Sequence, residues 1–265
     1  MAPSSLFASL GLGVSAAAVS FEAALSAVRA SLSPTEAEAW RTDAQLRMHR
    51  NGSRSSMMLI PFAAFLIAIL FAPWVGALTR YGWVAFMTIL CLGVDQANRR
   101  LDRITGRDAE TVGRKSRIST IVSVFFLAAW CSVGALFWVS GQPLDQMLLV
   151  LILACSMAGT IALCASHPAI AVATLTIHAA FLIGPPAFSD THMSSMLALL
   201  GAIYTLLVSG QLFTLSIGTN KLLLLEHERT QLVHNLRAAK SESDRERGRA
   251  MSAGRAKSEF LSNMN

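Results

Sequence analysis

Two ionisable residues stand out because the sequence around them excludes charge. Six apolar stretches, roughly 57–79, 81–97, 118–140, 146–165, 168–187 and 194–216, contain only Asp95 and His178 from among Asp, Glu, Lys, Arg and His. A charged group deep in hydrocarbon is costly, so such a residue is either paired or part of a functional path. His178 falls near the middle of its stretch, close to Thr174 and Thr176. An uncharged imidazole there needs a hydrogen-bond partner. It reads either as a satisfied interhelical histidine or as the lining of a ligand pocket or proton-sensitive contact. Asp95 lies about one turn from the end of its stretch, with Arg99 at i+4 as a ready ion-pair partner; the sharper reading makes it part of a protonatable element inside the bundle. His178, Asp95 and Thr174 are therefore the candidate ligand-sensing residues.

Other chemistry is weakly signalled. Cys91, Cys131, Cys155 and Cys164 all fall inside apolar stretches without a C-x-x-C pair, which suits small buried side chains rather than a disulfide framework or zinc site. Met87, Met157, Met193 and Met196 are scattered, as gap-fillers are, and Asp190 with His192 makes too few ligands for a metal centre. No catalytic residue and no resident metal or cofactor is expected in this chain.

These residues must be positioned by apolar helices. Of 265 residues, 53% are hydrophobic and 14% charged, with mean hydropathy +0.50; a soluble domain of this length would average near 25% charged. A secreted enzyme and a disordered tail are poor fits, and a bilayer is the expected solvent. A spanning helix needs about 20 apolar residues, which each of the six stretches approaches or exceeds. The formal charge of +6 would suit nucleic acid in a polar protein, but the basic residues sort by loop. Arg29, Arg41, Arg47, Arg50 and Arg54 precede the first stretch, and Arg99, Arg100, Arg103, Arg107, Arg114, Lys115 and Arg117 lie between the second and third. The rest follow residue 216, leaving Arg80 alone on the other side. That asymmetry predicts an even number of spans with both termini cytoplasmic, and no nucleic-acid partner.

Trp74, Tyr81, Trp83 and Trp138 fall at the outer ends of spans, as headgroup-level aromatics do. The outer connections are short: Thr79-Arg80, Gly141 to Asp145, and about 188–193 after Pro185-Pro186, read as ending a helix. Small residues Ala154, Ala158 and Gly159, and Gly201 with Ala202, are expected to let helices approach closely. Residues 1–56 read as a cytoplasmic or interfacial segment. Within it Leu6 to Val28 lacks the basic start of a signal peptide, and Ser33-Pro34-Thr35-Glu36 predicts a helix start with Ser33 as N-cap, Pro34 first in the helix and Glu36 completing a capping box.

After Gly218 the composition turns charged. A 3,4 spacing from Leu222 visits Leu225, Leu232, Leu236, Phe260 and Met264 among its apolar positions, which predicts a parallel dimeric coiled coil continuing the last span. At 1.5 Å per residue, residues 222–265 would reach about 66 Å. The expected fold is all-α: six transmembrane helices over 57–216, a signalling helix over 217–255, and a different element beginning at 256.

That last element carries a resemblance. The string AKSEFLSNMN, Ala256 to Asn265, resembles the opening of the dimerisation and phosphotransfer domain of sensor histidine kinases, especially hybrid ones, where a phosphoacceptor His in an H-E-L-R-T-P motif follows at once. Asn265 stands where the family commonly has Ser. None of His49, His167, His178, His192, His227 or His234 has that motif around it. The resemblance implies the sensor and signalling helix of a bacterial inner-membrane histidine kinase, stopping just before the acceptor. The ATP, the magnesium and the response-regulator or receiver partner would belong to a kinase core outside this chain, which should be inactive alone. In outline, six spans with tiny outer loops are similar to the six-helix quorum-sensing histidine kinases, which implies a small, lipophilic signal read within the bundle. The rival expectation is a six-span transporter or channel with a cytoplasmic oligomerisation helix.

Overall fold

The computed structural model describes residues 22–264. Every regular element among them is helical. Residues 22–32 form α1, followed by α2 (Glu36–Leu70), α3 (Ala77–Asp102), α4 (Ala109–Cys131), the single turn α5 (Val133–Leu136), α6 (Pro143–Cys164), α7 (Pro168–Ala187) and α8 (His192–Met264). Of the stretch from Leu6 to Val28, residues 6–21 lie outside the described part. The chain divides into two compact units, Met1–Thr219 and Asn220–Asn265.

Among the described residues, five segments are long and apolar enough to cross a membrane: Ala77–Asp102, Ala109–Leu136, Pro143–Cys164, Pro168–Ala187 and His192–Ser252. The remaining apolar stretch belongs to α2, whose Ser56–Leu70 part continues Glu36–Arg54 across a 43° bend. Ser53 and Ser56 donate their hydroxyls to the carbonyls of Arg50 and Gly52, and such back-bonding bends helices. Large apolar side chains cover the outside of the first unit: Met58, Leu78, Leu92, Phe125 and Leu206 are each more than two-thirds exposed. Water would not tolerate that surface over so many helices, whereas acyl chains solvate it at no cost.

The boundaries depart from the hydropathy reading where backbone chemistry intervenes. α2 stops at Leu70, short of the expected 79, because Pro73 has no N–H and disfavours helix at Ala72. Gly76 then caps α3, which starts at Ala77 instead of 81. The third stretch begins at Ala109 and is broken at Ser132, whose hydroxyl bonds the carbonyl of Ala129. α7 matches 168–187, but Pro185 and Pro186 sit inside its last turn rather than beyond it. The carbonyl of Phe181, which loses a partner to Pro185, lies 3.2 Å from where a Cβ on Gly134 would stand, so only glycine lets α5 settle there.

The capping box is also shifted. Thr35, not Ser33, is the N-cap of α2: its N–H and hydroxyl both bond the carboxylate of Glu38, at 3.1 and 2.8 Å. That frees Glu36 to accept the N–H of Ala109 at 3.2 Å, while Asp108 accepts that of Thr111 at 2.9 Å, so two carboxylates serve the start of α4. Trp83 is buried rather than interfacial, packed between Trp130 and Phe137 with ring centroids 5.8 and 5.5 Å away.

The Thr111 N–H holds the Asp108 carboxyl below the usual carboxylate range. A depressed folded-state pKa gives stability that is present at neutral pH and lost as pH falls through the folded value. Asp108→Ala should therefore lower the melting temperature of the bilayer-reconstituted chain at pH 7. Its gap to wild type should close in scans taken progressively below pH 4.

Candidate functional site

α2, α4 and α6 enclose a laterally open cleft of about 520 Å³, walled by Ile60, Leu66, Phe126, Trp130 and Ile152, with Ser156 and Thr160 at its polar side. It is continuous, through Ser56, Ile60, Phe126, Leu127 and Thr160, with a narrower pocket of about 80 Å³ that adds His49, Ser53, Asn98 and Ser123. Neither part is lined by Asp, Glu, Lys or Arg. The volume is that of small-molecule sites, and the polarity runs from an apolar mouth to an uncharged hydrogen-bonding end. Gly159, expected to permit helix contact, instead faces the cleft, and a Cβ there would meet nothing within 4 Å. The close approach is made by Gly201, where a Cβ would come within 3.2 Å of Leu182. Cys155 lines the cleft and is exposed, whereas Cys91, Cys131 and Cys164 are buried as expected.

His178 stands behind this cleft, fully buried. Its Nδ1 donates to the carbonyl of Thr174 at 3.0 Å, and its Nε2 faces Ser156 Oγ at 3.2 Å. Ser156 in turn accepts the Trp130 indole N–H at 2.6 Å. The chain Trp130, Ser156, His178, Thr174 thus ties α4, α6 and α7. Thr174 hydrogen-bonds the carbonyl of Ile170 with its own hydroxyl. Asp95 is not part of this group: it pairs with Arg99 at 2.7 Å and borders a small crevice with Arg50, Asn98 and Asp102. The three candidate sensing residues therefore do not converge.

A second polar layer escaped the sequence reading. His167, fully buried at the start of α7, lies with Nε2 3.0 Å from Ser116 Oγ, and Ser116 donates to the carbonyl of Ser31 at 2.6 Å. His49 stands nearby, its two ring nitrogens 3.5 Å from the Leu163 carbonyl and from Ser123 Oγ. Burial first, then the neighbouring His49 and Arg50, pull the His167 pKa down to about 3. The signal was His-Pro ahead of an apolar run, which is an N-cap slot; what filled it could not be read locally. Among the described residues no group of three or more His, Cys, Asp and Glu side chains could hold a metal ion.

Seam positions Leu222, Leu225, Leu232 and Leu236 on α8 are all more than half exposed in the single chain. The side chains of Phe260 and Met264 lie outside the described part. Comparison with models of known protein families, with curated proteins and with solved structures finds no match.

Proposed function

We propose that this chain is the transmembrane input module of a two-component histidine kinase, reading a small, membrane-soluble signal and passing it to a kinase core through α8. The observation that carries this reading is covalent continuity. α8 is one unbroken helix from His192, in the apolar unit, to Met264, at the end of the AKSEFLSNMN string. The bent α2 supplies the sixth span. In this reading both termini are on the cytoplasmic side of a bacterial inner membrane, which the distribution of basic residues among the connections favours.

The signal binds in the α2–α4–α6 cleft. A carboxylate or ammonium would find no opposite charge there, so the ligand is uncharged, with a hydrogen-bonding head toward Ser53, Asn98 and Ser123 and an apolar remainder toward Ile60, Phe126 and Trp130. Occupying the cleft changes how α2, α4 and α6 pack, and the ligand shifts the equilibrium by its differential affinity for the two packings. Two copies meet along Leu222, Leu225, Leu232 and Leu236, whose exposed side chains need a partner, so a small rotation of one helix pair reaches the core. ATP and magnesium act in that core, with a receiver domain downstream.

The test is a fusion of Met1–Asn265 to a kinase core beginning at its acceptor histidine, reconstituted in liposomes. Inserting one, two, three and four residues after Gly218 should change the ratio of autophosphorylation to phosphatase activity severalfold and with helical periodicity. Equal output across the series would refute the rod. Gly159→Phe, which fills open space, should fix the output in one state and abolish any response to hydrophobic extracts of culture medium. An unchanged response would remove the cleft from the mechanism.

A further inference from the structure

A second groove lies on the outside of the first unit, between α3 and α4, with a volume of about 400 Å³. Its walls are Gly93, Ala97, Leu101, Ile104 and Ile118, and its two polar residues are Gln96 and Arg100. Helical spacing puts Ile89, Gly93, Gln96 and Arg100 on one face of α3, and Ile118, Ile121 and Phe125 on one face of α4. Ile89, Ile121 and Phe125 are exposed apolar residues, so the groove continues the surface that acyl chains cover and ends at a guanidinium. Gly93 forms part of the hollow: a Cβ there would meet nothing within 4 Å.

The charges around the mouth are unbalanced. Asp95 is paired with Arg99, Asp102 with Arg50, and Asp108 is engaged in capping α4. Arg100, Arg103 and Arg107 are exposed and take part in no ion pair among the described residues. An acyl-lined groove opening on a cation without an ion-pair partner, next to further cations and with no carboxylate in its own lining, matches a lipid whose head carries net negative charge. A zwitterionic head would bring an ammonium for which no free carboxylate lines the groove.

We propose that the α3–α4 groove is a binding site for an anionic phospholipid. One acyl chain lies against Gly93, Ala97, Leu101 and Ile118, and the phosphodiester accepts hydrogen bonds from Arg100 and Gln96. Basic pockets between membrane helices at the charged rim bind such heads in this way. The site is independent of the kinase reading and needs only that the helices sit in a bilayer.

Native mass spectrometry of the detergent-purified full chain tests it, with dioleoyl phosphatidylglycerol and dioleoyl phosphatidylcholine as competing probes and glycerol 3-phosphate as the soluble headgroup. Phosphatidylglycerol should be retained preferentially as a discrete adduct. Arg100→Gln should weaken its retention about fivefold, the effect of one basic side chain at an anionic surface, while Arg107→Gln, which lies off the groove, should weaken it less. Gly93→Leu should remove the adduct with the melting temperature unchanged. Equal retention of the two lipids, equal loss in the two arginine variants, or an adduct surviving in Gly93→Leu would each overturn the proposal. So would displacement of the lipid by glycerol 3-phosphate, which would leave only a phosphate site.

Discussion

Arg80→Ala should destabilise the bilayer-reconstituted chain by about 2–4 kcal/mol, read as a lower melting temperature or a lower denaturant midpoint, and Arg80→Lys should recover only part of the loss. By sequence, Arg80 is the exception to the charge asymmetry, a lone basic residue in a two-residue outer loop. In the structure it is turned inward, 9% exposed, and acts on the preceding helix. A helix leaves its last four carbonyls unpaired. At the end of α2 the Ala72 N–H, which would have reached Ala68, instead bonds Ile69. Arg80 supplies what is missing: its Nη1 donates to the Ala68 carbonyl at 2.7 Å and its Nε to that of Val75 at 2.8 Å, while its guanidinium carbon stands 5.2 Å from the Tyr81 ring. Two charge-assisted bonds disappear with the guanidinium, leaving carbonyls buried near a bilayer edge where few other donors reach. Lysine lacks the fork needed to serve both acceptors. If Arg80→Ala melted with wild type, the turn between α2 and α3 would have to be held by its aromatic contacts alone, chiefly Phe71 on Phe137 at 5.6 Å.

What could be read from the sequence follows from how local each cause is. The apolar cores of the helices were legible because exclusion of charge from hydrocarbon acts residue by residue, and the stretch read as roughly 168–187 coincides with α7. The Asp95–Arg99 pair was legible because i+4 neighbours meet on any helix. Where a boundary depends on competing caps, the reading slipped: Ser33 and Thr35 are both plausible N-caps, and Thr35 prevails with Glu36 engaged at the start of α4 some seventy residues away. The cleft was not legible at all. Its mouth needs Gly159 of α6 opposite Ile60 of α2, and nothing local distinguishes a glycine that admits a neighbouring helix from one that leaves a hollow. His178 was legible as a residue that must find a partner. That Ser156 and Trp130 would be that partner is a fact of three-helix register.

The second polar layer shows how a proton count sharpens a mutational expectation. Ser116 has one hydroxyl proton, and the 2.6 Å contact assigns it to the carbonyl of Ser31. The 3.0 Å contact to His167 must then be donated by Nε2–H, which leaves Nδ1 with a lone pair; Nδ1 is indeed a buried atom without a partner. Removing either member of the pair is therefore not equivalent. Ser116→Ala strands two buried groups, the Ser31 carbonyl and the His167 N–H, and should cost about 2–4 kcal/mol. His167→Leu strands only one of two acceptor positions on a hydroxyl that keeps its donor bond. It also deletes the orphaned Nδ1, so its cost should be about 1 kcal/mol or less. Adding His167→Leu to Ser116→Ala should recover part of the loss, a coupling that a double-mutant cycle measures directly. The pH dependence follows with a definite sign. The unfolded histidine takes a proton near its ordinary value of 6.5, and the folded one resists until about 3. Wild-type stability therefore falls as pH drops through that window, where only the unfolded state binds the proton, and levels below it, where both states do. His49 and Arg50, the charged or titratable neighbours that hold the value down, remain in both proteins, so they largely cancel in the comparison. His167→Leu should lose stability less steeply than wild type between pH 6.5 and 4 in equilibrium denaturation of the reconstituted chain. A larger loss in His167→Leu than in Ser116→Ala would mean that the proton is shared the other way and that Ser116 donates to the imidazole, whereas parallel slopes for the two proteins would mean that folded His167 takes up its proton as the unfolded histidine does.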